Sequence, residues 1–563
     1  MKGKLLNLVR FQLLCLFSLV GYACASNSSE DGSSGDSTAT QEASAINDGV
    51  DTLNISLVND STLRDSLPYK HHPTAPIKMS QLTGINAFEW DFLQNLNDAD
   101  DIEKIYEPNM NIIRSFGAVR HFLDWENMET DEGHYTFNPA HKGSWNYDLM
   151  YSRCKAEGME VLVCIKNSPP WLYETYPAEK QDEENVPAAY GAKRDDPRSY
   201  QAMGRLAFQF AARYGKNKAV DSALVSVNRQ SRWAADRSNE VKIGLGLINY
   251  IECNNEPDRW WKGPDAQQSA SEYAANLSAF YDGDKGRLGK GVGVKAADPH
   301  MKVVMGGLAK PDINYVKEIV NWCRKHRGLK ADGTVDLCFD VLNFHMYSND
   351  NSNWFAKTDS AQKRGIAPEM NNMAAIADQW TAYAETLGLA VWTTELGYDL
   401  DKNSIQRAIP IGEKSVLETQ ADWILRSSLL YARHGVERVF FYQLFDTDEP
   451  GVTENAPFSH SGLADLQHGR RPAATYLYQV NRLMGNYAYE ETINANPVVD
   501  RYKRGEKSMF VLYIPDEKGR KASFDLDLRG AKKAVVHYLN IKGDKMLTKE
   551  MPVKDGKINL EIS

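Results

Sequence analysis

The sequence predicts an α/β protein built on a (β/α)8 barrel with a small C-terminal antiparallel, sandwich-like β module, and three observations predict it. Eight apolar runs of strand length lie between positions 82 and 443, amphipathic runs of helix length separate them, and beyond about Ala488 the pattern turns to short alternating stretches. The strand candidates are Leu82–Phe88, Asn111–Phe116, Met159–Ile165, Gly244–Ile251, Lys302–Gly306, Phe339–His345, Ala390–Thr394 and Arg438–Gln443. Their near-continuous hydrophobicity suits parallel strands covered on both faces.

Between the strands, helical spacing is clearest over Arg198–Tyr214, where Met203, Leu206, Ala207, Phe210 and Tyr214 share a face and Gly215 supplies a stop. Further helices are expected near Asp100 and over Trp145–Ala156, Ser269–Tyr281, Asp312–His326, Pro368–Thr386, Ser415–Arg433 and Pro472–Met484. A doubly wound open sheet would carry a glycine-rich first turn, which Gly84-Ile85-Asn86 does not supply. After the barrel, Ser508–Tyr513, Ala522–Leu526, Ala534–Leu539 and Lys557–Ile562 alternate between lysine, aspartate and glycine turns, as antiparallel strands do. Thr52–Leu57 is expected to add a strand to that module, and Lys216–Val241 is too long for an ordinary helix-to-strand connection, so it reads as an insertion.

The chain has 563 residues and a net charge of -10, enough length for a large core and no basic stripe that would suggest nucleic acid. Lys2 and Lys4 precede an apolar run from Phe11 to Val20 and then Gly21-Tyr22-Ala23-Cys24, the layout of a secretory leader. The small residue before Cys24 and the polar tract from Ser26 to Ser44 resemble a bacterial lipoprotein signal, which implies an acylated Cys24. The acidic Glu30 and Asp31 soon after it resemble surface-export signals of Bacteroidetes lipoproteins. The expected organisation is a leader over 1–23, a lipidated Cys24 and flexible tether to 75, the barrel over 76–486 and the β module over 487–563. Such a protein sits on the outer membrane or cell surface, and meets the bilayer only through its lipid.

Cys154, Cys164, Cys253, Cys323 and Cys338 contain no CxxC pair, so no metal cluster and no cofactor is expected. Cys323 and Cys338 are candidates for a bridge in an oxidising compartment, with buried free thiols as the plainer reading.

Catalytic groups in such barrels sit at the C-terminal ends of strands, and two glutamates hold that position. Glu256 follows the fourth strand in Ile251-Glu252-Cys253-Asn254-Asn255-Glu256-Pro257, and Glu395 ends the seventh in Trp392-Thr393-Thr394-Glu395-Leu396-Gly397. A glycosidic bond needs one carboxylic acid to protonate the departing oxygen and one carboxylate to meet the electron-poor carbon, about 5 Å apart when configuration is retained.

These motifs resemble those of the clan A retaining glycoside hydrolases, which include families 5 and 39. The resemblance implies Glu256 as acid/base, Glu395 as nucleophile and Asn255 as a hydrogen-bond partner of the sugar 2-hydroxyl. It also matches His345 and Tyr347 to the His-x-Tyr pair beside the nucleophile, and Arg114, read as lying on strand two, to the arginine that keeps the nucleophile ionised. The eighth strand departs from the clan, with Phe441-Tyr442-Gln443-Leu444-Phe445 where many members place a tryptophan, so Gln443 becomes a candidate sugar contact. Cys253-Asn254 likewise replaces the tryptophan that often precedes the Asn-Glu pair.

Trp171 and Tyr173 after strand three, Trp260 and Trp261 after Glu256, and Trp354 after strand six are candidate platforms for pyranose rings. Arg259 and Lys262 are candidate contacts to an acidic or sulfated glycan, with solvated loop charges as the plainer reading. The expected activity is endo-cleavage of a β-linked polysaccharide, β-glucan first, with β-galactan, xylan or mannan and exo-action as alternatives. A non-catalytic surface glycan-binding lipoprotein has no need of two glutamates at those strand ends. A metal-dependent barrel hydrolase would show His-x-His where the chain has Asn86-Ala87-Phe88.

Overall fold

The computed structural model describes residues 76–95, 104–137, 145–229, 239–350, 363–447 and 458–563. Cys24, the leader, the tether, Thr52–Leu57, the expected helix near Asp100, residues 230–238 of the insertion and Trp354 lie outside the described residues.

Eight parallel strands close into a barrel in sequence order: β1 Thr83–Ala87, β2 Ala118–Asp124, β3 Glu160–Lys166, β4 Tyr250–Cys253, β5 Lys302–Met305, β6 Val341–His345, β7 Ala390–Leu396 and β8 Arg438–Phe441. The helices that alternate with them are α1 Glu107–Ile113, α2 Tyr147–Ala156, α3 Gln201–Tyr214, α4 Ala270–Asp282, α5 Ile313–His326, α6 Met373–Leu387, α7 Val416–Arg433 and α8 Pro472–Met484. Outward-facing strand residues such as Val119, Val163, Ile251, Val303, Leu342 and Val391 join the helices in one large apolar core. No described helix is long and apolar enough to cross a membrane.

The second strand is not where the sequence suggested. Asn111–Phe116 lies across the end of α1, whose first turn carries Glu107 and Pro108 and whose Met110 and Ile113 are buried. Gly117 then separates helix from strand, because a Cβ there would lie 1.7 Å from the carbonyl oxygen of Ser80. Strand four is also shorter than expected. Gly244 and Gly246 take positive φ, and the N–H groups of Gly244, Leu245 and Leu247 cap the carbonyls of Ala212, Arg213 and Tyr214 at the end of α3. The described part of the insertion packs on residues 133–135: Asn228 N–H donates to Tyr135 O at 2.7 Å and Ser226 Oγ to Gly133 O at 2.8 Å.

Along the barrel axis the interior changes character. Ala118, Leu162, Val304, Val341, Trp392 and Phe440 form an apolar floor. One turn of pleat further along each strand come Asn86, Arg120, Cys164, Glu252, Asn343 and Thr394, a polar layer that is fully buried. The C-terminal mouth lies above that layer.

Beyond α8 the chain forms separate antiparallel sheets. β9 Ala488–Ala495, β10 Val498–Arg504 and β11 Lys507–Tyr513 make the first; β12 Ala522–Asp527 pairs with β15 Lys557–Ile562, and β13 Lys533–Tyr538 with β14 Leu547–Pro552. Val499, Leu526, Ile558 and Leu560 form their small common core. These sheets are fastened to the barrel helices: Arg433 Nη2 donates to Tyr513 Oη at 2.6 Å, and Gln479 Oε1 accepts from Asn540 N at 3.0 Å.

Candidate active site

The centre of the polar layer is the guanidinium of Arg120, completely buried, with an acceptor for each of its five N–H bonds. Nε donates to Glu252 Oε2 at 2.7 Å and Nη2 to Glu252 Oε1 at 3.0 Å. Nη1 donates to Asn86 Oδ1 at 3.0 Å and Glu395 Oε1 at 2.8 Å, and Nη2 to Asn255 Oδ1 at 2.8 Å. Burial disfavours its charge, but the carboxylates of Glu252 and Glu395 outweigh that and push its pKa well above the ordinary arginine value. One cation therefore ties together three strand ends.

Glu395 reaches this cation because β7 is irregular. The pairing of β6 with β7 slips between Phe344 and His345, and that of β7 with β8 between Thr393 and Leu396. A bulge re-aims side chains, so Thr394 and Glu395, successive residues, are both turned to the site. Thr394 Oγ1 meets Asn343 Nδ2 at 2.8 Å and His345 Nε2 at 3.0 Å, while Glu395 Oε2 accepts from Tyr347 Oη at 3.0 Å. Burial would raise the Glu395 pKa, yet the charges of His345 and Arg120 and the hydrogen bonds from Arg120 and Tyr347 hold it below the ordinary glutamate range. It is an anion in a nearly dry setting.

Glu256 stands opposite, with its side chain 17% exposed and Oε1 at 2.9 Å from His345 Nδ1. His345 Nδ1 lies 3.7 Å from Glu395 Oε2, so the imidazole faces both carboxyls. Burial pushes its pKa down and the two glutamates more than restore it, leaving a net rise. Gly307 makes room for this ring, since a Cβ there would sit 2.1 Å from His345 Nε2. One oxygen of Glu256, one of Glu395 and a nitrogen of His345 lie within 4.8 Å of one another. That trio has the donor types of a metal site, but each member already has a hydrogen-bond partner, and Arg120 supplies a cation to Glu395.

The loop after β4 carries two residues in left-handed backbone, Asn254 at φ 66° and Glu256 at φ 44°. Asparagine tolerates this region and glutamate does so at a cost of about 1–3 kcal/mol. Arg259, only 3% exposed, offsets the cost by donating from Nε to Glu256 O at 3.0 Å, from Nη2 to Asn254 Oδ1 at 3.1 Å and to the Asn255 carbonyl.

No protein-family model and no curated protein matches the chain. Solved structures do. A family 39 glycoside hydrolase from the gut symbiont Bacteroides cellulosilyticus is similar with a TM-score of 0.55 at 16% identity, over 86% of this chain and 79% of that one. The GH39 enzyme from Xanthomonas axonopodis pv. citri gives 0.48 at 12% identity over 87% and 93%, and a GH30 endoxylanase from Clostridium papyrosolvens gives 0.46 at 14% over 87% and 96%. At these identities the first of them establishes a shared fold.

Of the residues singled out in the sequence, Glu256, Glu395, Asn255, His345 and Tyr347 converge at the barrel mouth. Arg114 does not. It caps α1 and pairs with Glu157, donating from Nη2 to Oε1 at 2.7 Å, and the arginine that binds Glu395 is Arg120. The second strand begins at Ala118, seven residues beyond the expected Asn111, and Pro108 and Gly117 are the signals that separate helix from strand. Trp171 is tied into packing, its Nε1 donating to Glu129 O at 2.9 Å and its ring edge-on to Trp125 at 5.6 Å. Trp260 and Trp261 are 40% and 38% exposed and meet edge-to-face at 4.8 Å. Arg259 belongs to the loop clamp, and Lys262 pairs with Asp182 at 3.0 Å and with Glu184, so neither cation is held for an anionic sugar. Gln443 is 3% exposed, and its Nε2 has no acceptor among the described residues. Its neighbour Tyr442 meets Phe122 at 6.2 Å and Phe458 at 5.6 Å, and Phe458 meets Tyr347 at 5.0 Å, an aromatic wall that no motif in the sequence marks.

Proposed function

We propose that the protein is a retaining glycoside hydrolase that cleaves β-linked glycans by double displacement, with Glu395 as nucleophile and Glu256 as general acid/base. The observation that carries this reading is the separation of the two carboxyls: oxygens of Glu256 and Glu395 within 4.8 Å of each other suit direct attack on the sugar, whereas an inverting pair stands about 6.5–9.5 Å apart to admit water. Arg120 and Tyr347 hold Glu395 charged for attack on the anomeric carbon. Glu256, more exposed and beside His345, gives its proton to the departing oxygen and then takes one from the incoming water. Asn255 is oriented by Arg120 through its Oδ1, and its Nδ2, which donates to Glu256 Oε2 at 3.5 Å, keeps a second N–H for the sugar 2-hydroxyl.

For substrate we propose a neutral polysaccharide cut internally, β-glucan first. The exposed Trp260–Trp261 pair extends the surface beyond Glu256, and the nearby cations are already paired within the protein. We also propose that the leader and an acylated Cys24 hold the enzyme at the outer membrane or cell surface, which mass spectrometry of the mature N-terminus tests.

Mechanism and substrate are tested separately. A 2-fluoro glycoside with a good leaving group should label Glu395 covalently, and labelling elsewhere would remove it as nucleophile. Glu395→Gln should lower turnover of an aryl glycoside by several orders of magnitude. Glu256→Gln should lower it less and regain rate with azide, because an activated leaving group needs no acid and azide needs no base. Product lengths from a panel of β-linked polysaccharides decide the rest: an oligosaccharide ladder supports internal cleavage, and monosaccharide alone overturns it.

A further inference from the structure

At the end of the barrel remote from the site, Cys323 lies in the last turn of α5 and Cys338 shortly before β6, and their sulfurs are 3.5 Å apart. Both are fully buried. Fifteen positions separate them, and the intervening chain makes an exposed arm. Leu329 bridges to Val335, Lys330 N–H donates to Thr334 O at 2.8 Å, Asp336 N–H to Gly328 O at 3.0 Å, and Leu329 is 57% exposed. The two thiols stand on either side of the arm's base.

We infer that Cys323 and Cys338 form a disulfide when the chain folds in the presence of a disulfide-bearing oxidant, closing the base of this arm. The sulfurs need to approach by only about 1.5 Å to reach bonding distance, and residues 324–337 already turn back on themselves. The leader-like segment ending at Cys24 adds a reason to expect an oxidising compartment.

The two thiols meet at 3.5 Å and either can donate to the other, so either sulfur can open the exchange. With Cys323 first, its thiol gives up its proton and becomes the attacking sulfur. Its thiolate attacks one sulfur of the donor disulfide, and the other donor sulfur leaves as a thiol, taking up the proton Cys323 has lost. Cys338 then gives up its proton and attacks the Cys323 sulfur of the mixed disulfide, releasing the second donor thiol with that proton. Two cysteines are oxidised by two electrons, and one donor disulfide is reduced to two thiols. Because both sulfurs are sealed in the folded protein, exchange takes place as α5 and the segment before β6 dock.

The full-length protein is tested by reductive unfolding in urea, refolding with excess oxidised glutathione, and alkylation of remaining thiols with N-ethylmaleimide in denaturant. Peptide mapping should link the fragment bearing Cys323 to the one bearing Cys338, about two daltons below their summed mass, and find Cys154, Cys164 and Cys253 alkylated. Alkylation of Cys323 and Cys338, a stable glutathione adduct on either, or pairing with another cysteine overturns the inference. The same mapping on protein exported through its own leader and isolated without reductant covers the case of poor refolding. Amide exchange over 328–336 should slow about tenfold in the linked form relative to the reduced form, with aryl glycoside turnover unchanged, and equal exchange in both forms overturns the staple.

Discussion

At the scale of residues, the two arginines after β1 separate a site from a surface. Arg120 neutralises Glu252 and Glu395 in a buried setting, so its loss leaves two buried carboxylates without their cation and costs about 3–5 kcal/mol. Arg120→Lys keeps the charge but loses the fork. Turnover should fall by about a hundredfold or more, and the acidic limb of the kcat/KM profile should move up in pH, because Glu395 is no longer held as low. Glu252→Gln should move that limb the other way: with Glu252 neutral, Glu395 is the nearest anion left to Arg120, and a more strongly stabilised carboxylate is the poorer nucleophile. A pH-rate profile of each variant checks both directions, and coincident limbs would remove Arg120 from control of Glu395. Arg114→Ala should leave kinetics within about twofold and stability within about 1 kcal/mol, since its ion pair with Glu157 is a partly exposed surface pair.

At the scale of elements, the loop from β4 to Glu256 holds its shape through Arg259. Arg259→Ala removes donors to the carbonyls of Asn255 and Glu256 and leaves φ 44° at Glu256 without its clamp. Turnover should drop at least tenfold, equivalent to about 1.4 kcal/mol of transition-state stabilisation, with little change in KM for a small aryl glycoside. A rise in KM alone would mean that Arg259 touches substrate instead. Elements such as α4 and α7 were legible because their ends are written locally. Ser269 with Glu272 and Ser415 with Glu418 are capping boxes, and Gly283 ends α4 in left-handed backbone. Glu256 and Glu395 were legible because strand-end motifs carry them. The polar layer was not. Glu252 and Asn343 read as lone polar residues in apolar runs, and their partners stand 132 and 91 positions away, brought near only by barrel closure. Arg259 looked like a solvated loop charge for the same reason, since its acceptors are backbone carbonyls.

At the scale of the whole molecule, buried acids set the pH dependence of stability. Burial pushes Asp91 from 3.8 to about 7, and Glu129 from 4.5 to about 7 against hydrogen bonds from Gly133 N and Trp125 Nε1. A carboxyl with a raised folded pKa takes up a proton on folding, so it weakens the fold progressively as pH climbs from its unfolded value to about 7 and by a constant amount above that. Glu395 acts in the opposite sense. Its depressed pKa contributes stability that is present above its unfolded value of 4.5 and lost as pH falls through the folded value. His345, raised above 6.5, contributes stability that is complete below 6.5 and lost as pH rises through its folded value. Asp91, Glu129 and His345 thus favour the acidic side of neutrality, and Glu395 opposes them only as pH falls below 4.5. Asp91→Asn isolates one component. An asparagine still offers an acceptor to Phe88 N–H, now at 2.8 Å from Asp91 Oδ2, but has no proton to lose. The melting temperature of the variant should therefore fall less than that of the parent between pH 5 and 7, and stand above it at pH 8, where the ionised Asp91 costs up to about 4 kcal/mol at about 1.4 kcal/mol per pKa unit. Parallel melting curves across that range would mean that Asp91 stays ionised in the fold and contributes nothing to the loss of stability on raising pH.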